Sequence, residues 1–180
     1  MKLRPCHLSI LLTAIATTAP ARASILDYVG ECVPFARAAS GVDIYGDAWT
    51  WWDKAEGHYA RGTTPRTGAV IVFAKSDRLR LGHVAVVSRV VDARVVMITH
   101  ANWSRIDGAR GRVEQDVTLT DVSAKGDWSA VRVWYRGRGG LGSSTYAVNG
   151  FIYPAERRIA LELSGKNPDY VGALIDVYAR

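Results

Sequence analysis

The chain has 180 residues, 48% of them hydrophobic and 22% charged, with a formal net charge of +6 and a mean hydropathy near zero. Such a composition belongs to a folded domain and excludes disordered, coiled-coil and collagen-like chains. No run reaches the roughly 18 to 20 apolar residues that a membrane-spanning helix needs.

The apolar run near the start reads as a signal peptide. Lys2 and Arg4 form the basic flank, residues 8–19 the apolar stretch, and Ala21, Arg22 and Ala23 a small-residue cleavage site. Cleavage after Ala23 leaves 157 residues beginning at Ser24 and lowers the net charge from +6 to +3, because Lys2, Arg4 and Arg22 depart. The expected organisation is a leader over 1–23, one domain over 24–154 and a tail of uncertain structure over 155–180. Export to a bacterial periplasm or beyond follows, with no membrane span once the leader is removed. The basic residues run from Arg37 to Arg180 with acids between them, which predicts no nucleic-acid partner. The mature chain is expected to be a monomer.

Cys6 lies in the leader, so the exported chain carries a single thiol, Cys32, with no partner for an internal disulfide. An unpaired thiol is a liability in an oxidising compartment. A buried structural residue, an intermolecular disulfide and a catalytic nucleophile are the three ways to account for it. Its neighbourhood narrows the choice. Residues 24–40 read as a lead-in, a turn at Gly30 and a short helix, with Pro34 tolerated in the first turn and Gly41 as the C-terminal stop. Cys32 then stands at or just before the helix N-terminus, where the free N–H groups and the dipole favour a thiolate and should depress its pKa.

Residues 47–60 predict a second helix, opened by Asp47 and carrying Ala48, Trp51, Trp52, Ala55 and Tyr59 at helical spacing. Its tryptophans serve either as core and rim or as a stacking platform for substrate, with Trp51 and Trp52 as the candidates. Residues 61–68 are turn-rich. Short β-branched runs follow at 69–73, 83–91, 94–103, 111–119 and 130–136, and residues 151–153 read as a closing strand. Residues 137–144 read as a flexible loop. Helices first and strands afterwards give an α+β fold with an antiparallel sheet of about five or six strands.

The hairpin of 83–91 and 94–103 concentrates the polar chemistry. A turn centred on Asp92 and Ala93, with two or four loop residues, sets His83 opposite Asn102 and Ala85 opposite His100. Period-2 geometry then places His83, His100 and Asn102 on one face, whereas a three-residue turn would shift the register and scatter them. A thiol at a helix start and an imidazole on the sheet beneath it form a Cys/His nucleophilic pair, with His100 or Asn102 holding the ring tautomer.

ECVPFAR around Cys32, PRTGAVIVF from Pro65 to Phe73, LGHVAVVSRV around His83 and THANW around His100 occur in an order and spacing that resemble the CHAP domain, the cysteine, histidine-dependent amidohydrolase/peptidase family of the papain-like NlpC-type superfamily. The resemblance spans residues 28–135. It implies a papain-like fold, no cofactor, no metal, and cleavage of amide bonds in peptidoglycan, either N-acetylmuramoyl-L-alanine amidase or peptide endopeptidase. Cys32 corresponds to the nucleophile, His83 to the base and then acid, and His100 or Asn102 to the orienting group, with Trp103 at the substrate. Many members have Glu where this chain has His100, and a neutral partner stabilises an imidazolium less than a carboxylate does. Glu31 replaces a frequent Gln, which leaves the Cys32 backbone N–H as the oxyanion donor. A zinc site from His58, His83 and His100 lacks ligand spacing. A non-catalytic wall-binding or scaffolding domain is the alternative reading.

Overall fold

The structure is a computed structural model that describes residues 30–155. The expected leader and the tail beyond Ala155 lie outside the described residues. Eight strands follow two short helices: α1 (Cys32–Ser40), α2 (Trp51–Lys54), β1 (Ala60–Gly62), β2 (Val70–Phe73), β3 (His83–Val90), β4 (Val95–Ala101), β5 (Val113–Asp121), β6 (Ala130–Tyr135), β7 (Gly140–Leu141) and β8 (Tyr146–Tyr153). The class is α+β, as expected. Among the described residues, no helix is long and apolar enough to cross a membrane.

All pairings between these strands are antiparallel, in the order β1-β8-β2-β3-β4-β5-β6-β7, and β8 also pairs with β6. That last pairing closes six strands, β8-β2-β3-β4-β5-β6, into a barrel and leaves β1 and β7 as appendages. The additional strands come from the two segments read as loops. Arg61 and Gly62 sit in β1 against β8, and Gly140 and Leu141 in β7 against β6. Neither has the apolar alternation that marks a strand, because each is short and paired along one edge only.

The barrel explains the unbroken apolar run in β2. Ile71 and Phe73 face inward with Ala85, Val87, Ile98, Leu119, Val133 and Phe151. Val70 and Val72 face outward with Val84, Val86 and Ile152, beneath Phe35, Ala36 and Ala39 of α1. A strand covered on both sides needs apolar residues at every position.

Helix α1 begins where expected, with Glu31 as N-cap, Cys32 as the first helical residue and Pro34 in the first turn. It stops at Gly41, whose φ of 72° is the left-handed conformation that glycine adopts without steric penalty, and whose N–H bonds Arg37 O at 2.9 Å. The second helix is shorter than the expected span over 47–60. A 3-10 turn at Ala48–Thr50 leads into the four residues of α2, and the chain then turns through Gly57 at φ 73°.

The β3–β4 register departs from expectation at one end and meets it at the other. Val90 pairs with Val96, and the Val91 and Asp92 N–H groups both bond Val95 O, so the turn is centred on Ala93 and not between Asp92 and Ala93. An extra residue in β3, Ser88, then shifts the pairing back: Arg89 faces Met97, while Val87 faces Ile98 and Val86 faces Thr99. The one-residue turn shift and the bulge cancel. A second bulge, at Asp116 with φ 50°, lies beside the first in β5, and Ser88 Oγ donates to Asp116 Oδ1 at 2.5 Å.

Phe35 is 1% exposed and joins α1 to the sheet. Phe35→Ala is expected to lower stability by about 3–5 kcal/mol through lost burial and the cavity left behind. Urea unfolding followed by tryptophan fluorescence checks this, and a loss under about 1 kcal/mol would mean that the helix is not held by this contact.

Candidate active site

One end of the barrel carries the polar groups. His83 opens β3 opposite Phe73, and His100 lies near the end of β4. His83 Nε2 and His100 Nδ1 are 3.0 Å apart, and both rings are buried. Aromatic rings enclose them. The His83 ring centre lies 5.4 Å from that of Phe73 and 4.8 Å from that of Trp103, and Trp103 stacks on His100 at 5.6 Å. Because Nε2 of His83 is engaged by His100, Nδ1 is the nitrogen left for other chemistry.

Gly82 sets the entry to β3. Its φ is +70°, and a Cβ there would lie 2.6 Å from the Trp49 backbone nitrogen. That nitrogen donates to Leu81 O at 3.1 Å, so the two backbones meet directly in front of His83. Only glycine meets both demands.

A cleft of about 690 Å³ opens over this end of the barrel and is lined by Cys32, His83, Asn102 and Trp103 together with Tyr45, Leu81 and Arg110. Cys32 is buried at its wall, 9% exposed. It stands at the start of α1, which packs against β3, the strand that His83 opens. The sequence motifs thus converge on one cleft, with the thiol from α1 and the imidazole from β3.

Asn102 does not join the two imidazoles, contrary to the face predicted from alternation. Strand β4 ends at Ala101, Asn102 has φ 65°, and its Nδ2 donates to Glu31 Oε2 at 2.7 Å. It fastens the strand end to the residue that caps the cysteine helix. Trp51 and Trp52 are corrected as stacking candidates. Trp51 is fully buried in the core, Trp52 is covered by the Arg61 guanidinium and by Gly150, and neither lines the cleft. His58 is exposed and lies outside the cleft lining.

Sequence reasoning missed Glu114. It pairs with His100 across β4 and β5, so both side chains point into the barrel, and it is 1% exposed. Its oxygens accept Ser104 N–H at 2.7 Å and Ser104 Oγ–H at 2.8 Å, and Ser104 Oγ accepts Arg136 N–H at 3.0 Å. The carboxylate holds the turn that carries Trp103. Tyr45 and Leu81 were missed too, each 60% exposed at the cleft. A single exposed apolar residue in a loop carries no sequence signal.

The expected depressed thiol pKa is overturned. Burial pushes the Cys32 thiol above its ordinary value and the Glu31 charge adds to this, while hydrogen bonding to the Val84, Cys32 and Val33 backbone only partly opposes it. Burial also holds His83 down to about 3, with the Arg110 charge contributing, and holds His100 well below its usual value, with His83 contributing. The resting pair is therefore a neutral thiol and a neutral imidazole.

These imidazoles make stability depend on pH. Below about 6.5 the unfolded chain binds protons that the folded chain refuses, so stability is full above that pH and falls as pH drops toward 3. Urea midpoints measured between pH 7.5 and 4 should fall for the native chain and fall less steeply for His83→Gln. Equal slopes would show that His83 is not held neutral. Separately, Gly82→Ala should cost about 2 kcal/mol or more, because it combines a strained φ with a backbone clash. Thermal unfolding reads this, and an unchanged midpoint would contradict the close approach at Trp49.

Residues 24–102, which include Cys32, His83, His100 and Asn102, match the CHAP domain family. No curated protein matches the chain at a significant level. The family is typically one of cysteine, histidine-dependent amidohydrolases and implies a peptidoglycan hydrolase-type function in general. The motifs around Cys32, His83 and His100 thus lie in the segment that matches the CHAP domain family.

Proposed function

We propose that the protein is an exported, papain-like cysteine hydrolase that cleaves peptidoglycan amide bonds through an acyl-thioester on Cys32. The observation that carries this reading is the buried His83–His100 hydrogen bond at the wall of the cleft that Cys32 also lines. With His83 Nε2–H donating to His100 Nδ1, His83 Nδ1 is unprotonated and serves as the base. The opposite tautomer would make Nδ1 a donor and block the reaction, so the orienting role falls to His100 and not to Asn102.

The chemistry runs in two halves. The thiol proton passes to His83, Sγ attacks the carbonyl carbon, and the oxyanion is received by the backbone N–H of Cys32 at the start of α1. The C–N bond then breaks as the leaving amine takes the proton from His83. Water, deprotonated by His83, attacks the thioester carbonyl, the C–S bond breaks, and the thiol is restored. Because both groups rest neutral, the charged pair forms only as substrate enters. Water exclusion and the oxyanion donors must then supply the driving force that a carboxylate partner would otherwise provide.

A non-catalytic wall-binding domain is the second reading, and the same suppressed ionisation of Cys32 and His83 favours it. Digestion of purified cell-wall sacculi, with mass analysis of the released fragments, separates the two. Cys32→Ala should cut release at least a thousandfold while the far-ultraviolet circular dichroism stays native. His100→Ala should lower kcat about a hundredfold and Asn102→Ala by much less. Release by Cys32→Ala within tenfold of the native rate overturns the thiol mechanism. Equal mild losses for the other two overturn the role of His100.

A further inference from the structure

Arg110 lies in the β4–β5 loop, exposed, and lines the cleft with Cys32 and His83. The loop around it is pinned. Gly111 O accepts the Gly30 N–H at 2.8 Å, Arg112 O accepts the Asn102 N–H at 3.1 Å, and Ile106 and Ala109 exchange backbone hydrogen bonds at 2.8 and 3.0 Å. The first of these ties the loop to the lead-in of the cysteine helix, so Arg110 is carried on backbone fastened to the segment that bears Cys32.

Arg78, Arg80 and Asp77 also line the cleft, whereas two further charges there are engaged with neighbours. Arg37 pairs with Asp43 and lies 3.4 Å from the centre of the Tyr45 ring, and Glu31 accepts from Asn102. The Arg110 guanidinium makes no hydrogen bond or ion pair with any of the described residues. Its charge nevertheless reaches His83, where it opposes the imidazolium that thiol activation requires. A cation placed against the site's own chemistry is accounted for if an incoming anion neutralises it.

We propose that Arg110 binds a carboxylate of the substrate beside Cys32, so that the cleft selects amides bearing a free carboxylate near the bond to be cut. The planar guanidinium suits a carboxylate by paired, charge-assisted hydrogen bonds. Occupation would orient the amide over the sulfur and at the same time offset the charge that adds to burial in opposing protonation of His83. Binding and activation then come from one contact. The carboxylate subsite stands on the cleft alone, whereas its use on peptidoglycan peptides rests on the function proposed above.

Two alkylators of similar size test the subsite without any cell-wall substrate. Iodoacetate and iodoacetamide both place a methylene carbon at Sγ and expel iodide, but only the first carries a carboxylate. Measured on the full chain, the iodoacetate-to-iodoacetamide rate ratio at Cys32 should exceed that of a small free thiol at least tenfold. Arg110→Ala should abolish this excess and Arg110→Lys should restore part of it. Taking the ratio cancels any common change in thiolate population. A ratio equal to that of the free thiol, or one unchanged in Arg110→Ala, overturns the proposal.

The second arm uses peptide substrates with a free or an amidated carboxylate. Arg110→Ala should lower kcat/KM at least tenfold on the free acid and less than twofold on the amide. Equal losses on both would overturn substrate selection. A native chain that cleaves neither while keeping its alkylation ratio would overturn the amide-hydrolase reading and leave the carboxylate subsite standing.

Discussion

The hydrogen bond between His83 and His100 is the contact around which this end of the molecule is organised. Two buried imidazoles 3.0 Å apart cannot both present a proton, or both a lone pair, to each other, so the tautomer of one fixes that of the other. Their burial supplies the second constraint. With Phe73 and Trp103 against the rings, a charge on either is expensive, and the pair rests neutral. Everything nearby serves this geometry. Gly82 admits β3 against Trp49, Glu114 fixes the turn that carries Trp103, and Asn102 binds the strand end to the cap of α1.

Much of this was legible in the sequence because it rests on strong local signals. Pro34 and Gly41 bracket α1 and put Cys32 at its first position, and the β-branched runs give the central strands. The relation of His83 to His100 was also readable, although one premise was wrong. The turn holds a different number of residues from that assumed, and Ser88 restores the pairing. A bulge has no reliable sequence mark, since it is set by the fit of two strands and not by one residue's preference.

The bulge at Asp116 explains why Glu114 could not be read. Val113 and Val117 are four residues apart, so strict alternation places them on one face. In the structure Val113 packs beneath α1 while Val117 lies inside the barrel. The extra residue between them inverts the facing of everything before it, and Glu114 turns inward to the side of His100. For the tryptophans, the core-and-rim reading holds and the stacking reading does not. Three aromatic residues within four positions resemble a platform, but the turn of α2 sends Trp51 into the core and lays Trp52 against Gly150.

A neutral resting pair changes what the cleft must accomplish. A preformed thiolate and imidazolium would be ready before any ligand arrives, at the cost of a nucleophile open to oxidation. Here the thiol is buried and protonated, which protects it from oxidation while the site is empty. In the proposed reaction, activation then has to come from the substrate, through exclusion of water and through the charges it brings. Since burial and the Arg110 cation both oppose ionisation of His83, an anionic group on the substrate acts on the proton transfer as well as on binding. On this account reactivity and selectivity share one origin. In the proposed reaction, the residues that decide which amide is cut are those lining the cleft mouth, while Cys32, His83 and His100 set only the kind of bond.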